Sequence, residues 1–495
     1  MGIVQKDAFR TTIISYLGIL LGYINKGLLF IIILSSEQIG LISLLITVGT
    51  VFAQLAGFGT VFTTLKFLPF FKDEEKKHHG FLPFIIRIIL WGTILTTILF
   101  ILFRPFIEKL YIDKSADFVT YYLWVLPIGI GYVFYLLFEA YLRSFYKNIL
   151  SVFSYEIILR LGVTISLLLY WYNFISFDIF VKYNSLIYLV PTIILLIFLE
   201  KNKELYVSSK NITISKRFRK LMFNFSLYNY VNSLGVILVV SLDVIMIAQM
   251  IGLDATGIYS TVVFIASALL VPNRSLIRIS SPLVSEFWKN RKMKEMESIY
   301  KKTGSVSLFF GLACFIVIWL NIDLIFSFLK PEFKSGIWVF FALMMGRFFE
   351  MFFGLTGVIF STSKKYKYDI YFTITLVIMV FCLNLLFIPN WGIVGAAVST
   401  AIALMIYNIG RFIFIYKSYK LNPFEKNQFI IIALAVFTIL IGEYFGSMTS
   451  NLWVRLFIEI PIFLICFLTP IFVFNLEKHI IQYVKNGMQF IKSKF

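Results

Sequence analysis

Charged residues are scarce in this sequence. They make up 14% of the chain against 59% hydrophobic residues, whereas an ordinary soluble domain has roughly 25% charged residues. This composition excludes a string of soluble domains, although 495 residues would be long enough for several. The sequence therefore predicts an all-α protein that crosses a membrane many times.

Cysteine and histidine are also scarce. Their positions are Cys314, Cys382, Cys466, His78, His79 and His479. The cysteines lie far apart in apolar runs, which indicates packing residues and neither a disulfide framework nor a metal cluster. Without a suitable spacing of histidine and cysteine or carboxylate, no zinc site and no cofactor is predicted.

Enzyme signatures are missing from the sequence. There is no GxxxxGK[ST] phosphate loop for an ATP-driven pump and no Gly-x-Ser-x-Gly nucleophile turn. The acidic run Asp73-Glu74-Glu75 stands in a charged turn and is interpreted as a solvated loop. The chain is therefore not predicted to be an enzyme.

Long apolar runs occupy most of the chain. A membrane span needs about 20 mainly apolar residues, and about fourteen such runs occur. They lie near 10–34, 39–66, 81–103, 119–142, 148–172, 178–199, 221–250, 256–284, 303–328, 335–361, 369–388, 391–416, 428–446 and 451–475.

The basic residues indicate the orientation. About 30 of the 45 Lys and Arg fall in one alternating set of connections and the termini, and about five fall in the opposite set. Because cytoplasmic loops are rich in Lys and Arg, both termini are predicted to be cytoplasmic. The net charge of +19 is thus explained by orientation and contact with anionic lipids, and no nucleic-acid partner is needed.

A weak internal repeat divides the chain. At an offset of 217 residues, Gly18 matches Gly235 and Gly40 matches Gly257, as in parallel-repeat transporters. The predicted organisation is two six-helix lobes, two further helices and an amphipathic tail lying on the inner leaflet. The segments are 1–205, the connection 206–220, 221–420, 421–476 and 477–495.

Several charges inside the spans have a partner on the same helix. Glu139 and Arg143, and Glu156 and Arg160, are four residues apart, and Arg347 precedes a glutamate by three residues. Such spacing predicts ion pairs on one helix face. Arg160 and Arg347 remain candidates for substrate binding, because a paired arginine can exchange its partner for an anionic ligand.

Other charges lack a local partner and are candidates for function, since ionisable residues in a membrane are costly. Lys26 lies about 24 Å into the first span, and its repeat counterpart is Asp243. The two can pair with each other or contact a ligand. Arg274 lies in the inner half of the eighth span beside Pro272, which is predicted to bend that helix, while Arg278 can reach the head groups.

The stretches DAFRTTIISYLGILLGYINKGLLF, SSEQIGLISLL and PNWGIVGAAVSTAIA resemble the bacterial polysaccharide-flippase family. This family belongs to the multidrug, oligosaccharidyl-lipid and polysaccharide exporter superfamily. The resemblance implies a V-shaped, MATE-like pair of helical bundles around a cationic cavity that opens alternately to the two sides. It supports Lys26 and Arg274 as substrate-binding residues, followed by Arg278. Lys26 departs from the arginine expected in a related lipid II flippase, and lysine cannot bind a diphosphate in a bidentate manner.

The expected function is therefore to flip an undecaprenyl-diphosphate-linked oligosaccharide, such as an O-antigen precursor, across a bacterial inner membrane. The expected partners are this substrate, membrane lipids and polysaccharide-biosynthesis proteins. One alternative is a cation-coupled drug or metabolite exporter with Asp243 as the coupling acid, although the first span holds Lys26 and no acid. The other is a polysaccharide polymerase, which usually needs a longer outer loop than this sequence contains.

Overall fold

The computed structural model describes residues 2–73, 77–204, 214–267, 270–477 and 480. All regular secondary structure in these residues is helical, which confirms the predicted all-α class. The chain forms two compact units, Met1–Thr261 and Val262–Phe495. Twelve helices of the described residues are long and apolar enough to cross a membrane.

The first unit contains seven of these helices and the beginning of a shorter one. They are α1 (Arg10–Ile33), α2 (Ser36–Gly57), α3 (His78–Leu102), α4 (Tyr122–Ser144), α5 (Ile149–Trp171), α6 (Phe177–Lys201), α7 (Lys216–Met250) and the shorter α8 (Leu253–Ser267).

Serine side chains begin three helices of this unit. Ser35 accepts a hydrogen bond from the backbone N–H of Gln38, whose side chain accepts one from the Ser35 N–H in return. Ser176 and Ser215 cap α6 and α7 in the same way. These caps satisfy backbone donors that the first turn of a helix leaves free, and they set the helix starts at the membrane surface.

The second predicted span is broken near its end. Helix α2 stops at Gly57, because Phe58 (φ 45°) and Gly59 (φ 68°) adopt left-handed conformations. The chain then continues as a short helix, Thr60–Phe67. A Cβ on Gly59 would collide with the Ser226 carbonyl oxygen of α7, so the break brings α2 and α7 together.

The two glycines matched by the repeat contact each other where α2 and α8 cross. A Cβ on Gly40 would overlap the Leu253 carbonyl oxygen and lie 3.0 Å from the Gly257 nitrogen. A Cβ on Gly257 would overlap the Ser36 carbonyl oxygen and lie 2.9 Å from the Gly40 nitrogen. The contact is reciprocal, as expected for equivalent positions of a repeat, and small residues are what such close helix crossings need.

The second unit contains the remaining membrane helices and the amphipathic α9. They are α9 (Val271–Asn290), α10 (Met293–Leu320), α11 (Pro331–Phe352), α12 (Tyr366–Tyr419), α13 (Lys426–Gly446) and α14 (Leu452–Val473). The two last helices pack on α10 through buried side chains such as Leu312, Ile316, Ile431, Ala435 and Phe467.

Two places account for the difference between about fourteen predicted spans and twelve spanning helices. The eighth predicted span is described as α8 up to Ser267 and as the amphipathic α9 from Val271, and neither part is among the twelve spanning helices. Pro272 stands in the first turn of α9, where its missing N–H is tolerated. The bend predicted there stays a prediction, because residues 268 and 269 lie outside the described part of the chain. Helix α12 covers two predicted spans and turns at Gly392 (φ 58°, ψ −137°).

The compact units divide later in the chain than the predicted lobes. The sequence places the boundary in the connection 206–220, whereas the units divide between Thr261 and Val262. The reason is that α7 packs along α2, so α7 is grouped with the first six helices. The predicted amphipathic tail, 477–495, lies outside the described residues except at 477 and 480.

Candidate functional site

Lys26 lies on an irregular turn of α1. The residues Tyr23–Leu29 form a π-helical turn between two α-helical parts of α1. Such turns occur frequently at functional sites, because the additional residue reorients the side chains. The side chain of Lys26 is exposed, while that of its neighbour Asn25 is buried.

Asn25 ties this turn to α5. Its amide nitrogen donates to the backbone carbonyl of Arg160 at 2.9 Å, and its amide oxygen accepts from the hydroxyl of Thr164 at 2.7 Å. Helix α5 also contains a π-helical turn, Ser154–Leu159, directly before Arg160. Lys26 therefore lies on one irregular turn of α1, and Arg160 directly follows another on the neighbouring α5.

The guanidinium of Arg160 is held by two groups of the first unit. Its Nη2 lies 2.6 Å from Oε2 of Glu156, and its Nη1 donates to the carbonyl oxygen of Gly18. Both charged side chains are about a quarter exposed, 25% for Arg160 and 24% for Glu156. The pair is therefore accessible, and its arginine can exchange the carboxylate for another anion.

Two glycines of α1 make room for this ion pair. A Cβ on Gly18 would lie 2.6 Å from both Cβ and Oε2 of Glu156, and one on Gly22 would lie 3.2 Å from Cζ of Arg160. The GILLG stretch therefore forms a shallow channel in which the guanidinium lies. Small residues in membrane helices commonly allow close helix packing, and here they admit the side chains of Glu156 and Arg160.

Positive charge exceeds negative charge at this place. Lys26 follows Asn25, whose side chain is bonded to the backbone of Arg160, and Glu156 is the carboxylate in the Arg160 ion pair. An ammonium and a guanidinium together favour anions with several oxygen acceptors, above all phosphates. We call Lys26, Arg160, Glu156, Gly18 and Gly22 the cationic site.

Tyrosine side chains support the π-helical turn of α5. Tyr155 stacks on Tyr135 with ring centroids 4.7 Å apart and lies 5.9 Å from the ring of Tyr132. The Tyr135 hydroxyl donates to the Ser151 carbonyl at 3.3 Å. This packing holds the turn that carries Glu156 in place and so supports the cationic site.

Asp243 lies on α7 and is 4% exposed. Its Oδ2 accepts a hydrogen bond of 2.5 Å from the Tyr259 hydroxyl of α8. A carboxylate so deeply buried needs such a donor. Whether Lys26 also contacts Asp243, as the sequence suggested, stays a prediction.

Arg274 and Arg278 belong to the second unit. Both lie on the amphipathic α9 and are exposed. Within the described part of the chain neither has an ion-pair partner, so both are available to an anionic ligand. Their role in binding substrate stays a prediction.

The three predicted ion pairs on single helices are confirmed. Besides Arg160 and Glu156, Arg143 Nε lies 3.4 Å from Glu139 Oε1. Arg347 Nη1 lies 2.9 Å from Glu350 Oε2, with the arginine 28% exposed. Spacing of three or four residues was thus enough to identify partners inside the membrane helices.

The sequence analysis missed two charge clusters of the second unit. Arg411 Nη2 lies 2.9 Å from Asp369 Oδ1, a pair on α12 that is 42 residues apart and gives no local signal. Arg455 is held by Glu459 at 2.5 Å, Asp323 at 3.0 Å and Glu443 at 3.1 Å. The spacing of Arg455 and Glu459 is four residues, so this pair was visible in the sequence.

Among the described residues there is no group of three or more His, Cys, Asp or Glu side chains that could hold a metal ion. The cationic site holds one carboxylate against two cations. Its donors therefore suit an anion and not a metal.

Comparisons with known proteins address the fold. No protein-family model matches the chain. An uncharacterized membrane protein of Methanocaldococcus jannaschii is 21% identical over 371 residues, which cover 73% of either chain. The capsular polysaccharide biosynthesis protein CapF of Staphylococcus aureus is 23% identical over 176 residues, 34% of this chain and 43% of that protein.

Solved structures resemble almost the whole chain. The lipid II flippase MurJ, in an inward closed conformation, superimposes with a TM-score of 0.71 at 16% identity, covering 94% of this chain and 99% of that one. An inward-facing multidrug resistance MATE family transporter of the MOP superfamily gives 0.67 at 14% identity, covering 81% and 94%. The chain has the fold of these transporters. The predicted MATE-like fold class of a multi-pass membrane protein is thereby confirmed.

Proposed function

We propose that the protein is a flippase that moves an undecaprenyl-diphosphate-linked oligosaccharide from the inner to the outer leaflet of a bacterial inner membrane. The observation that carries the proposal is the cationic site, where the turn that carries Lys26 is bonded to the backbone of Arg160 and Arg160 is paired with Glu156. The likeness in fold to a lipid II flippase and the sequence match to a capsular polysaccharide biosynthesis protein support it.

The chemistry of the passenger fits this site. A diphosphate cannot cross hydrocarbon unaided, whereas ammonium and guanidinium groups hold it through charge-assisted hydrogen bonds. Arg160 pairs with Glu156 while the site is empty and turns to the diphosphate when it arrives. Without substrate, the guanidinium of Arg160 is paired with Glu156. This pairing matters because an unpaired charge within the membrane is costly.

The arginines of the second unit extend the same role. Arg274 and Arg278 are exposed and unpaired among the described residues, and Arg347 is half-buried beside Glu350. In the proposed mechanism they contact the passenger during its movement. An inside-negative potential favours outward movement of an anion by about 2.3 kcal/mol per charge per 100 mV.

The test is a flipping assay in vesicles. Purified protein is reconstituted with a fluorescent undecaprenyl-diphosphate oligosaccharide, and the fraction that reaches the opposite leaflet is quenched with a membrane-impermeant reagent. We expect Lys26→Gln to reduce the initial rate about tenfold, which corresponds to about 1.4 kcal/mol. Lys109→Gln, which removes an exposed lysine of a short connecting helix, should leave the rate unchanged. Equal rates for both variants would exclude Lys26 from the mechanism.

A second candidate function is a cation-coupled exporter of drugs or metabolites. It is favoured by Asp243, whose carboxylate is buried and accepts a hydrogen bond from Tyr259, and by the MATE-like fold. If this function is right, Asp243→Asn should raise drug susceptibility while surface polysaccharide stays normal. Normal drug susceptibility with loss of polysaccharide in the Lys26→Gln strain would favour the flippase.

A further inference from the structure

The first unit contains two cavities that none of the steps above use. One of about 660 Å³ lies between α3, α7 and the short helix Thr60–Phe67. The other, of about 540 Å³, lies between α2, α3 and α7. Phe58, Leu95 and Tyr230 line both cavities, so the two adjoin, and we call them together the lateral groove.

The lateral groove is as long as the hydrocarbon core of a bilayer is thick. Along α3 its lining extends from Phe84 in the first cavity to Phe103 just after the helix in the second. At 1.5 Å per residue this is about 29 Å, compared with about 30 Å for the hydrocarbon core.

The groove is open at its side. Trp91 is 72% exposed, Phe223 66%, Leu227 51% and Leu95 50%, and all four line the groove. They belong to α3 and α7, two helices long and apolar enough to cross the membrane. The opening therefore faces lipid, and a lipid chain can enter it sideways without passing through water.

The lining presents an almost purely apolar surface. The hydroxyl of Ser226 donates to the Phe58 carbonyl at 2.5 Å, that of Tyr230 to Leu55 at 3.4 Å, and that of Tyr122 to Phe100 at 2.9 Å. Because these hydroxyls already donate to backbone carbonyls, their protons are not offered to a ligand in the groove. Its content should therefore be a hydrocarbon.

One end of the groove is charged. Arg219, near the start of α7, is the charged residue among the lining residues of both cavities. Its Nε donates to the Ile214 carbonyl at 3.1 Å, and its guanidinium lies 5.8 Å from the ring of Phe84. Within the described part of the chain it has no carboxylate partner. Lys216, Arg217 and Lys220 are exposed on the same turns, so this end suits an anionic head group.

We propose that the lateral groove binds the polyprenyl chain of the passenger, with the diphosphate at Arg219 before it moves on to the cationic site. The inference rests on the proposed function, because it takes the passenger to be a lipid-linked one. An ordinary acyl chain extends through one leaflet, about 15 Å or half of the hydrocarbon core. A groove that crosses both leaflets suits a much longer chain, such as undecaprenyl.

The junction of the two cavities offers a direct test. Leu95 lines both cavities there, beside Phe58 and Tyr230, whose rings lie 5.4 Å apart. Leu95→Trp should block passage from the first cavity to the second without disturbing a buried core position, because Leu95 is half exposed. Ile98→Trp is the matched control, since Ile98 is 49% exposed on the same helix and does not line the groove.

The measurement is binding of undecaprenyl diphosphate and of farnesyl diphosphate to purified protein in phospholipid nanodiscs. We expect Leu95→Trp to weaken binding of the long chain about fivefold, because van der Waals contacts in the second cavity are lost. Farnesyl diphosphate, which fits the first cavity alone, should bind as before, and Ile98→Trp should change neither affinity. Equal effects of Leu95→Trp and Ile98→Trp, or affinities independent of chain length, would overturn the proposal.

The head-group end is tested separately. Arg219→Gln should weaken binding of undecaprenyl diphosphate but not of uncharged undecaprenol, whereas Arg217→Gln should affect neither. If Arg219→Gln weakens both ligands equally or neither, Arg219 does not bind the diphosphate and this part of the proposal is wrong.

This experiment distinguishes the groove from the flipping mechanism. Lys26→Gln should flip about tenfold more slowly but retain chain-length-dependent binding, since Lys26 does not line the groove. If the wild type fails to flip but Leu95→Trp still weakens binding of undecaprenyl diphosphate alone, the groove proposal is supported and the proposed function is wrong. If flipping is intact while Leu95→Trp and Ile98→Trp bind alike, the groove proposal falls alone.

Discussion

At the scale of single residues, Arg160 shows how a permanent charge is accommodated within a membrane helix. Its guanidinium lies over Gly18 and Gly22, is paired with Glu156, and donates to a carbonyl of α1. Each of these contacts depends on the absence of a side chain at the two glycines. The position of the arginine, and not only its charge, is therefore encoded in α1.

A substitution at Gly22 should change the position of the Arg160 guanidinium without changing the stability of the protein. A Cβ at Gly22 would meet the end of the flexible Arg160 side chain and no backbone atom of a neighbouring helix. We expect Gly22→Ala to displace the guanidinium and to reduce the flipping rate about tenfold, or about 1.4 kcal/mol. The thermal unfolding temperature should change little, because the arginine can move aside.

Gly57→Ala is the control for this prediction. A Cβ at Gly57 would make an ordinary contact of 3.7 Å with Val133, so both flipping and stability should be retained. If Gly22→Ala flips at the wild-type rate while Arg160→Gln does not, the glycine does not position the arginine.

The sequence could identify charged partners only where they share a helix turn. Glu156 with Arg160 and Arg347 with Glu350 were predicted from their spacing, and both pairs are present. Asp369 and Arg411 pair across 42 residues of α12, which is possible because the helix turns back at Gly392. A residue pattern within a short stretch of sequence cannot reveal a pair that lies so far apart in the chain.

At the scale of elements, the apolar runs predicted where helices lie but not how they are interrupted. The break at Phe58 and Gly59 falls inside a run that is continuous in hydropathy. The π-helical turn that carries Lys26 has no compositional signal either, since it differs from an α-helix by one inserted residue. Interruptions of this kind are decided by packing against neighbouring helices.

The repeat, by contrast, was visible in the sequence because it rests on glycines. Gly40 and Gly257 were matched by an offset of 217 residues, and the structure places their backbones in direct contact. Ser36 Oγ also bonds to Oδ1 of Asp254 beside this crossing. A repeat whose equivalent positions meet needs a small residue at both of them.

The crossing of α2 and α8 yields a stability prediction. Gly40→Ala and Gly257→Ala should each destabilise the protein by about 1 to 3 kcal/mol, because the new methyl group meets rigid backbone that can yield only by moving a helix. The measurement is thermal unfolding of the purified variants in detergent, with Gly57→Ala as the control. Since both substitutions force the same pair of helices apart, the double variant should cost less than the sum of the two single ones. Full additivity would show that the two glycines relieve separate contacts.

At the scale of the whole molecule, the direction of transport depends on which connections face the cytoplasm. The basic connections lie on one side of the predicted topology and carry about 30 of the 45 Lys and Arg. Helix α12 turns at Gly392 and so contains both of the predicted spans 369–388 and 391–416. The fold alone does not set the orientation, which is decided by these charges during insertion.

Single cysteines can test the predicted orientation of the chain in the membrane. In a variant whose Cys314, Cys382 and Cys466 are replaced by alanine, Lys109→Cys and Lys367→Cys each introduce one exposed thiol on a connection. An impermeant maleimide added to intact cells should label Lys109→Cys at once and Lys367→Cys only after the membrane is permeabilised. The reverse pattern would place the basic connections outside. The cationic site would then load its passenger from the outer leaflet, and the proposed direction of flipping would be wrong.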